Sequence, residues 1–348
     1  MKKYFGNMKK IISIFLVLTL AITSIGIIDT KKVTAAGSFE ADGILYRINS
    51  NTEVSVMRCE NYVGTNLVIP GKVENDNKEY KVTKIESKAY RNSLLLQKVV
   101  ISEGIKTIDD SAFEGCEQLS EITIPKSLET VGSNGILSSC NMLEKVKFAD
   151  GIETIPRYLC KNITSEKIKT VTVPDTVKLI GGGAFANMKN LEHVYMPDTV
   201  ERINWGAFQG CENLQEINIP KNVTVIENNV YDGVKKPTTV IIPGKVTSIG
   251  SNVFDECENL KEITIPVSLE SVGSNGIFNG CNKLEKINLT EGITAIPRNL
   301  YRNITSEKIK TVTVPDTVKL IGGGAFANMK NLEHVYMPDK VERINWGA

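Results

Sequence analysis

The chain has 348 residues, of which 41% are hydrophobic and 23% charged, and it contains no low-complexity tract. These proportions are typical of a folding chain and exclude a disordered one. The formal net charge is +1. Because there is no basic cluster to release counterions from a phosphate backbone, we expect no nucleic-acid partner.

Residues 1–35 have the three-part layout of a secretory signal peptide. Four lysines precede the apolar run "IISIFLVLTLAITSIGII", and Val33-Thr34-Ala35 offers a small-residue cleavage site. A membrane anchor is the alternative, because the run approaches the length that spans a bilayer. Cleavage would leave 35 basic and 39 acidic residues, a net charge of −4. We expect no membrane span after signal removal, and a protein that is secreted or attached to the bacterial cell surface.

An apolar anchor residue, usually followed by proline, recurs at spacings of 23 to 25 residues. Ile or Val stands two positions before and seven after every anchor, and an aromatic residue often stands twelve after it. Six spacings make a 141-residue cassette, whose order of spacings then starts again, and residues 162–207 and 303–348 agree at 45 of 46 positions. The anchors are Ile101, Ile124, Phe148, Val173, Met196, Ile219, Ile242, Ile265, Leu289, Val314 and Met337.

One such unit is too small to offset its own chain entropy, whereas stacked copies continue each apolar ladder into one elongated core. The segment "LQEINIP", residues Leu214–Pro220, alternates β-branched residues and ends in proline, which predicts a short strand. Equivalent strands must lie parallel, about 4.8 Å apart, so eleven of them predict one sheet on the order of 50 Å long. The sequence therefore predicts a repeat solenoid.

The pattern Leu214-x-x-Ile217-x-Ile219-Pro220, followed by Val223-x-x-Ile226 and in other copies by "AF-x-x-C-x-x-L", resembles the BspA-type (Treponema-type) leucine-rich repeats of bacterial surface proteins. The resemblance covers residues 83–348. It implies an array of 23–25-residue units with a parallel β-sheet on the concave face, mostly β and irregular, with little helix. Residues 36–82 are similar to the strand-rich lead-in of such arrays. The family is associated with adhesion to host matrix proteins, host cells or other bacteria.

The candidate binding face consists of the residues one and three positions before each anchor, which point away from the core by strand alternation. In solenoids this extended surface is the usual binding surface. The two His/Tyr pairs are its most distinctive members, because exposed aromatics favour interface anchoring; ordinary strand decoration is the alternative interpretation. The candidates are Thr170, Thr172, His193, Tyr195, Glu216, Asn218, Thr311, Thr313, His334 and Tyr336.

No catalytic, cofactor or metal site is predicted. His193 has only Tyr195 and Glu216 nearby, a poor ligand set for a metal. The run "GGGAF" lacks the Lys-Ser/Thr ending of a phosphate loop and is predicted to be a turn. Five cysteines share one repeat position with Met and Val, which predicts a small buried apolar slot, although disulfides between neighbouring repeats stay open; the five are Cys116, Cys140, Cys211, Cys257 and Cys281.

The sequence thus predicts a binding protein, not an enzyme, whose partner is an extracellular protein or a ligand on a host or bacterial surface. The alternative is an accessory array of a surface enzyme with its catalytic domain beyond residue 348, and a third hypothesis is an architectural role. The second cassette stops at "VERINWGA", where the first continues. We therefore expect the chain to be a fragment of a longer protein. The ligand and the oligomeric state do not follow from the sequence.

Overall fold

The structure is a computed structural model that describes residues 37–59 and 62–348. Over these residues it contains 27 β-strands, with turns between them and no helix, and hence no helix that could cross a membrane. The strands are stacked in successive repeats, which confirms the predicted solenoid that is mostly β and irregular. The predicted signal peptide lies outside the described residues.

The lead-in forms a small mixed sheet that merges with the array. β1, β2 and β3 pair antiparallel, β3 runs parallel to β6, and β5 pairs antiparallel to β6. β6 continues across residue 82, and β4 pairs with the first strand of the array, so lead-in and array share their sheets. The strands are β1 Ser38–Ala41, β2 Ile44–Ile48, β3 Glu53–Val56, β4 Asn66–Ile69, β5 Lys72–Asn75 and β6 Lys78–Ile85.

Each repeat except one contributes a strand that ends at or next to its anchor. We call these the face strands, because their alternate side chains form one surface of the solenoid. Strands such as β9 and β20 alternate in burial, as the period of two requires, whereas the last three residues of β11 and of β22 are all half-buried. They are β7 Lys98–Ile101, β9 Glu121–Ile124, β11 Lys145–Phe148, β13 Thr170–Thr172, β15 His193–Tyr195, β18 Thr239–Ile241, β20 Glu262–Ile265, β22 Lys286–Leu289, β24 Thr311–Thr313 and β26 His334–Tyr336.

The face strands do not form one continuous sheet, so that prediction is wrong. They group as β4-β7-β9-β11, β13-β15, β18-β20-β22 and β24-β26. We name the interruption between β11 and β13 the first break, and that between β22 and β24 the second break. Both fall where two anchors are 25 residues apart, because the two additional residues displace the next strand from hydrogen-bonding register.

The remaining interruption contains the segment Leu214–Pro220, whose predicted strand is also wrong. The segment keeps the alternating burial of a strand but lacks a strand's hydrogen bonds, and Gln215 N donates to Glu192 O at 2.9 Å. In the next repeat Pro237 occupies the position of Leu214. Leu214 N donates to Cys211 O within its own repeat, so the missing N–H of Pro237 removes a bond of the turn and not one of the strand ladder.

A second row of two-residue strands runs along the array, and we call these the back strands. They were not predicted from the sequence, although each ends at the Ile or Val seven positions after an anchor. They pair in parallel within three sheets. They are β8 Thr107–Ile108, β10 Thr130–Val131, β12 Thr154–Ile155, β14 Leu179–Ile180, β16 Arg202–Ile203, β17 Val225–Ile226, β19 Ser248–Ile249, β21 Ser271–Val272, β23 Ala295–Ile296, β25 Leu320–Ile321 and β27 Arg343–Ile344.

The core is one buried cluster that runs from Phe39 to Met329. Its centre is a ladder of aromatic rings twelve or thirteen positions after successive anchors, stacked with centroids 5.3 to 6.2 Å apart. Such offset stacks add to the stabilisation from burial. The uninterrupted part of the ladder is Phe185, Phe208, Tyr231, Phe254 and Phe278.

Candidate functional site

The most distinctive part of the face surface is formed by β13 and β15. Their sequences, "TVT" and "HVY", consist of β-branched and aromatic residues, which favour the pleated conformation. The central valine of each strand points inward. Thr170 pairs in register with His193, and Thr172 with Tyr195, so four predicted site residues lie together on the outward side.

The two rings of β15 lie side by side on this surface. The centroids of His193 and Tyr195 are 6.4 Å apart with an interplanar angle of 11°, and Tyr195 is 55% exposed. The second cassette repeats the arrangement: Thr311 and Thr313 pair with His334 and Tyr336, whose rings are 6.2 Å apart. Tyr336 is 60% exposed. The structure therefore presents two copies of one aromatic and hydroxyl-bearing patch.

An ion pair borders each patch. Lys169 Nζ lies 2.8 Å from Glu192 Oε1, and Lys310 Nζ lies 2.8 Å from Glu333 Oε1. The hydrogen bond from Lys169 lowers the pKa of Glu192 and raises the pKa of Lys169 itself. Both groups therefore stay charged at neutral pH and neutralise one another. The patch itself presents aromatic rings and hydroxyl groups at the surface.

Glu216 and Asn218 lie in the repeat that follows β15, and both side chains are exposed. They stand in the segment without a strand, so they are not held in register with His193 and Tyr195. With Val194 and Met196 they border a shallow groove between the two repeats. The structure thus places these two candidates beside the first patch without building them into its sheet.

A cavity of about 570 Å³ opens at the first break, next to the first patch. Its inner wall is apolar and its rim includes Lys145, Lys147, Thr170 and Thr172. Sequence reasoning missed it. Two signals were present: the 25-residue spacing, and Cys160 at the ladder position where the second cassette has Tyr301. The apolar wall is formed by Val146, Phe148, Cys160, Ile168, Val171 and Met188.

The cysteines are free, and six of the seven are buried, as the slot interpretation predicts. The Sγ atoms of the five slot cysteines lie 3.0 to 3.5 Å from backbone carbonyl oxygens. Burial raises the pKa of the Cys211 thiol to about 12, which disfavours the reactive thiolate. Within residues 37–59 and 62–348, no group of His, Cys, Asp and Glu is arranged to hold a metal ion.

The run "GGGAF" lies in a turn, as predicted. At Gly181 an added Cβ would lie 2.6 Å from Ile155 O and 2.6 Å from Arg157 N. Only glycine permits this approach between neighbouring repeats, so the glycine serves packing.

Three structures of bacterial leucine-rich repeat proteins are similar to this chain at low identity. That from Bacteroides ovatus is 24% identical, covers 89% of this chain and 92% of its own, and has a TM-score of 0.49. A leucine-rich cell surface protein from Faecalibacterium prausnitzii is 20% identical, with coverages of 90% and 96% and a TM-score of 0.45. A leucine-rich repeat protein from Eubacterium ventriosum is 17% identical, with coverages of 86% and 95% and a TM-score of 0.37. At these identities the similarity says nothing about a shared ligand.

No curated protein matches the sequence. The family model described as the BspA type leucine-rich repeat region matches in six copies, over residues 83–170, 161–275 and 226–348. Together these ranges cover well over half of the chain and coincide with the stacked repeats. The chain therefore belongs to the BspA-type leucine-rich repeat family.

Proposed function

We propose that this protein is secreted or attached to the bacterial cell surface and acts as an adhesin, binding other proteins through its face strands. The observation that carries the proposal is the pair of exposed ring patches, His193 with Tyr195 and His334 with Tyr336, in the same register in both cassettes. Exposed tyrosines supply large contact area at small entropic cost, which is why they are enriched at binding hot spots.

The duplication supports a large or repetitive partner. Two equal patches on one rigid array bind a repetitive ligand more tightly than one patch, because the second contact is made at high effective concentration. The family's resemblance to surface proteins and the expected signal peptide support an exported location. We propose binding, not catalysis, as the activity of the repeats.

The test is binding of the purified chain to an immobilised panel of extracellular-matrix proteins, epithelial cells and bacterial cells. The variant carries Ser in place of His193, Tyr195, His334 and Tyr336. All four are at least partly exposed, so the variant should keep the wild-type melting temperature. We expect its binding to fall by at least about tenfold, as loss of aromatic hot spots does.

The matched control is the double variant Lys236→Ser and Glu270→Ser, which changes exposed residues outside the face strands. It should bind as the wild type does. Variants with only one patch changed would retain single-site affinity and lose the gain from the second contact. Unchanged binding by the four-residue variant would contradict the proposed role of the face strands.

A further inference from the structure

The first break has two strand edges that face each other without backbone hydrogen bonds between them. β11 bonds to β9 through Lys145 N and Ala149 N, so by alternation the N–H and C=O groups of Val146 and Phe148 point toward the break. β13 bonds to β15, for example through Val173 N to Tyr195 O at 2.9 Å. The backbone groups of Thr170 and Thr172 therefore point toward the break from the other side.

Unpaired strand edges are templates for another extended chain. Among the described residues, no backbone hydrogen bond crosses from residues 144–149 to residues 167–173. What the break lacks is thus a set of alternating donors and acceptors, which a second polypeptide in extended conformation supplies. A sugar or a lipid surface does not offer that alternation.

The break also uncovers part of the apolar core. Val146 and Phe148 are half-buried, whereas their counterparts one repeat earlier, Ile122 and Ile124, are fully buried. The 570 Å³ cavity beneath them is lined by Cys160, where the second cassette places the buried ring of Tyr301. A cavity of this size and lining accepts one large apolar side chain, whose burial removes apolar surface from water and so favours binding.

On the β11 side the rim of the cavity carries Glu144, Lys145 and Lys147, and Glu144 is neutralised by Lys167 at 2.5 Å. Lys147 Nζ is paired with Glu121 at 2.7 Å. Lys145 is exposed and has no ion-pair partner within the part of the chain that the structure describes. A ligand with an acidic side chain close to its apolar one would match this charge.

We propose that the first break binds an extended segment of a protein partner by strand addition along the edges of β11 and β13. An apolar side chain of the segment enters the cavity beside Cys160, and an acidic side chain lies near Lys145. This inference deepens the proposed function and rests on it in one respect, namely that the partner is a protein. It assigns the segment to the first cassette alone, because Tyr301 fills the equivalent place at the second break.

The test uses fluorescein-labelled seven-residue peptides and anisotropy titration of the full chain. One peptide has a central phenylalanine, two flanking valines and two glutamates, and its partners replace the phenylalanine with serine or the glutamates with lysines. We expect saturable binding of the acidic phenylalanine peptide, and at least about tenfold weaker binding of the serine peptide. Binding of the lysine peptide should also be weaker.

Two variants locate the site. Cys160→Tyr fills the cavity with the residue found in the second cassette. It should weaken binding of the acidic phenylalanine peptide by at least about tenfold. Lys145→Glu changes an exposed side chain that does not affect folding, and it should reverse the preference between the glutamate and lysine peptides. Tyr301→Phe, which keeps the ring at the second break, is the control and should leave peptide binding unchanged.

The proposal is overturned if no peptide binds saturably up to about 1 mM, which corresponds to only about −4 kcal/mol. It is equally overturned if the folded Cys160→Tyr variant binds the peptide as the wild type does, or if Lys145→Glu leaves the preference unchanged. Adhesion could be lost in the variant without the His/Tyr patches and stay unchanged in Cys160→Tyr. That result would support the proposed function and contradict a binding site at the first break.

Discussion

The two breaks in the face sheet occupy the same place in the two cassettes but differ in what lies beneath them. At the second break Tyr301 is buried and its ring lies 5.3 Å from that of Phe326. At the first break Cys160 stands in this position and borders a cavity. The flanking residues from 162 and from 303 onwards are nearly identical. Both breaks coincide with a 25-residue spacing, and the apolar residues at them differ at three equivalent positions: Val146 and Ile287, Phe148 and Leu289, and Cys160 and Tyr301. The exchange of a cysteine for a tyrosine is the largest of these differences in volume.

The largest effect is expected from exchanging these two side chains. Tyr301→Cys removes a buried ring and should lower the free energy of unfolding by about 3 to 4 kcal/mol, the range of large-to-small core substitutions. Cys160→Tyr fills a space that already exists and should change the free energy of unfolding by less than about 1 kcal/mol. Urea unfolding with a constant slope in both variants would measure this. A cost for Cys160→Tyr as large as that for Tyr301→Cys would show that the first cavity cannot accept the ring.

A second comparison between the cassettes concerns Glu114 and Asp255, which are 141 residues apart. Hydrogen bonds from Ser111 and Arg91 outweigh burial and lower the pKa of Glu114. Burial raises the pKa of Asp255 from 3.8 to about 7, helped by Asp232 and Glu256, although Asn279 N donates to it at 3.0 Å. The same repeat position therefore makes the free energy of unfolding depend on pH in opposite directions in the two cassettes.

The sign follows from linkage. The folded state holds the Asp255 proton more tightly than the unfolded state, so the fold loses stability as the pH rises from about 4 to about 7. Glu114 instead contributes stability above its unfolded pKa and loses it as the pH falls into the acid range. We expect Asp255→Asn to raise the free energy of unfolding at pH 8 by roughly 2 to 4 kcal/mol and to leave it nearly unchanged at pH 4.

The measurement is urea unfolding of wild type and Asp255→Asn at half-unit steps between pH 4 and pH 8. Glu114→Gln is the matched control in the first cassette. It should lower the free energy of unfolding at pH 7, whereas Asp255→Asn should raise it. If the difference between wild type and Asp255→Asn were constant across this range, Asp255 would not carry a raised pKa in the folded state.

Much of the fold follows from local pattern. The anchor and the Ile or Val two positions before it define an inward-facing pair, so strands such as Glu262–Ile265 are predictable from the sequence. The outward pairs His193/Tyr195 and His334/Tyr336 follow from the same alternation. The back strands were missed because two residues with one inward side chain, such as Val225–Ile226, show no period of their own.

The breaks and the cavity were missed for a different reason. Whether β13 hydrogen-bonds to β11 depends on the distance between two strands joined by a 25-residue repeat, which no local pattern records. Within its own repeat, Cys160 has the pattern of an ordinary core residue. It lines a cavity because of its position beside Phe148, Val171 and Met188, which come from its own and neighbouring repeats. The segment Leu214–Pro220 has the sequence pattern of a strand but lacks the hydrogen bonds of one. Those bonds depend on the backbone of the adjacent repeats, which the pattern of the segment itself does not record.

The smallest predicted effect tests whether both breaks share one backbone architecture. The slot cysteines lie eight residues before the next anchor. In the two repeats with a 25-residue spacing, Ser165 and Ser306 occupy this position. Ser165 Oγ donates to Leu143 O at 2.6 Å and accepts from Lys167 N at 3.2 Å. Ser306 Oγ makes the equivalent bonds to Leu284 O and Lys308 N at the same distances. Each serine therefore ties the displaced chain to the repeat before it where strand pairing is absent.

Ser165→Ala and Ser306→Ala should each lower the free energy of unfolding by about 1 to 2 kcal/mol, because a buried carbonyl loses its donor. The two costs should agree, since the surroundings are the same in both cassettes even though one break is hollow and the other filled. The exposed pair Ser133→Ala and Ser274→Ala serves as the control and should have no measurable effect. A cost confined to Ser165 would mean that the hollow break relies on this serine alone, and that the ring of Tyr301 takes over its role at the second break.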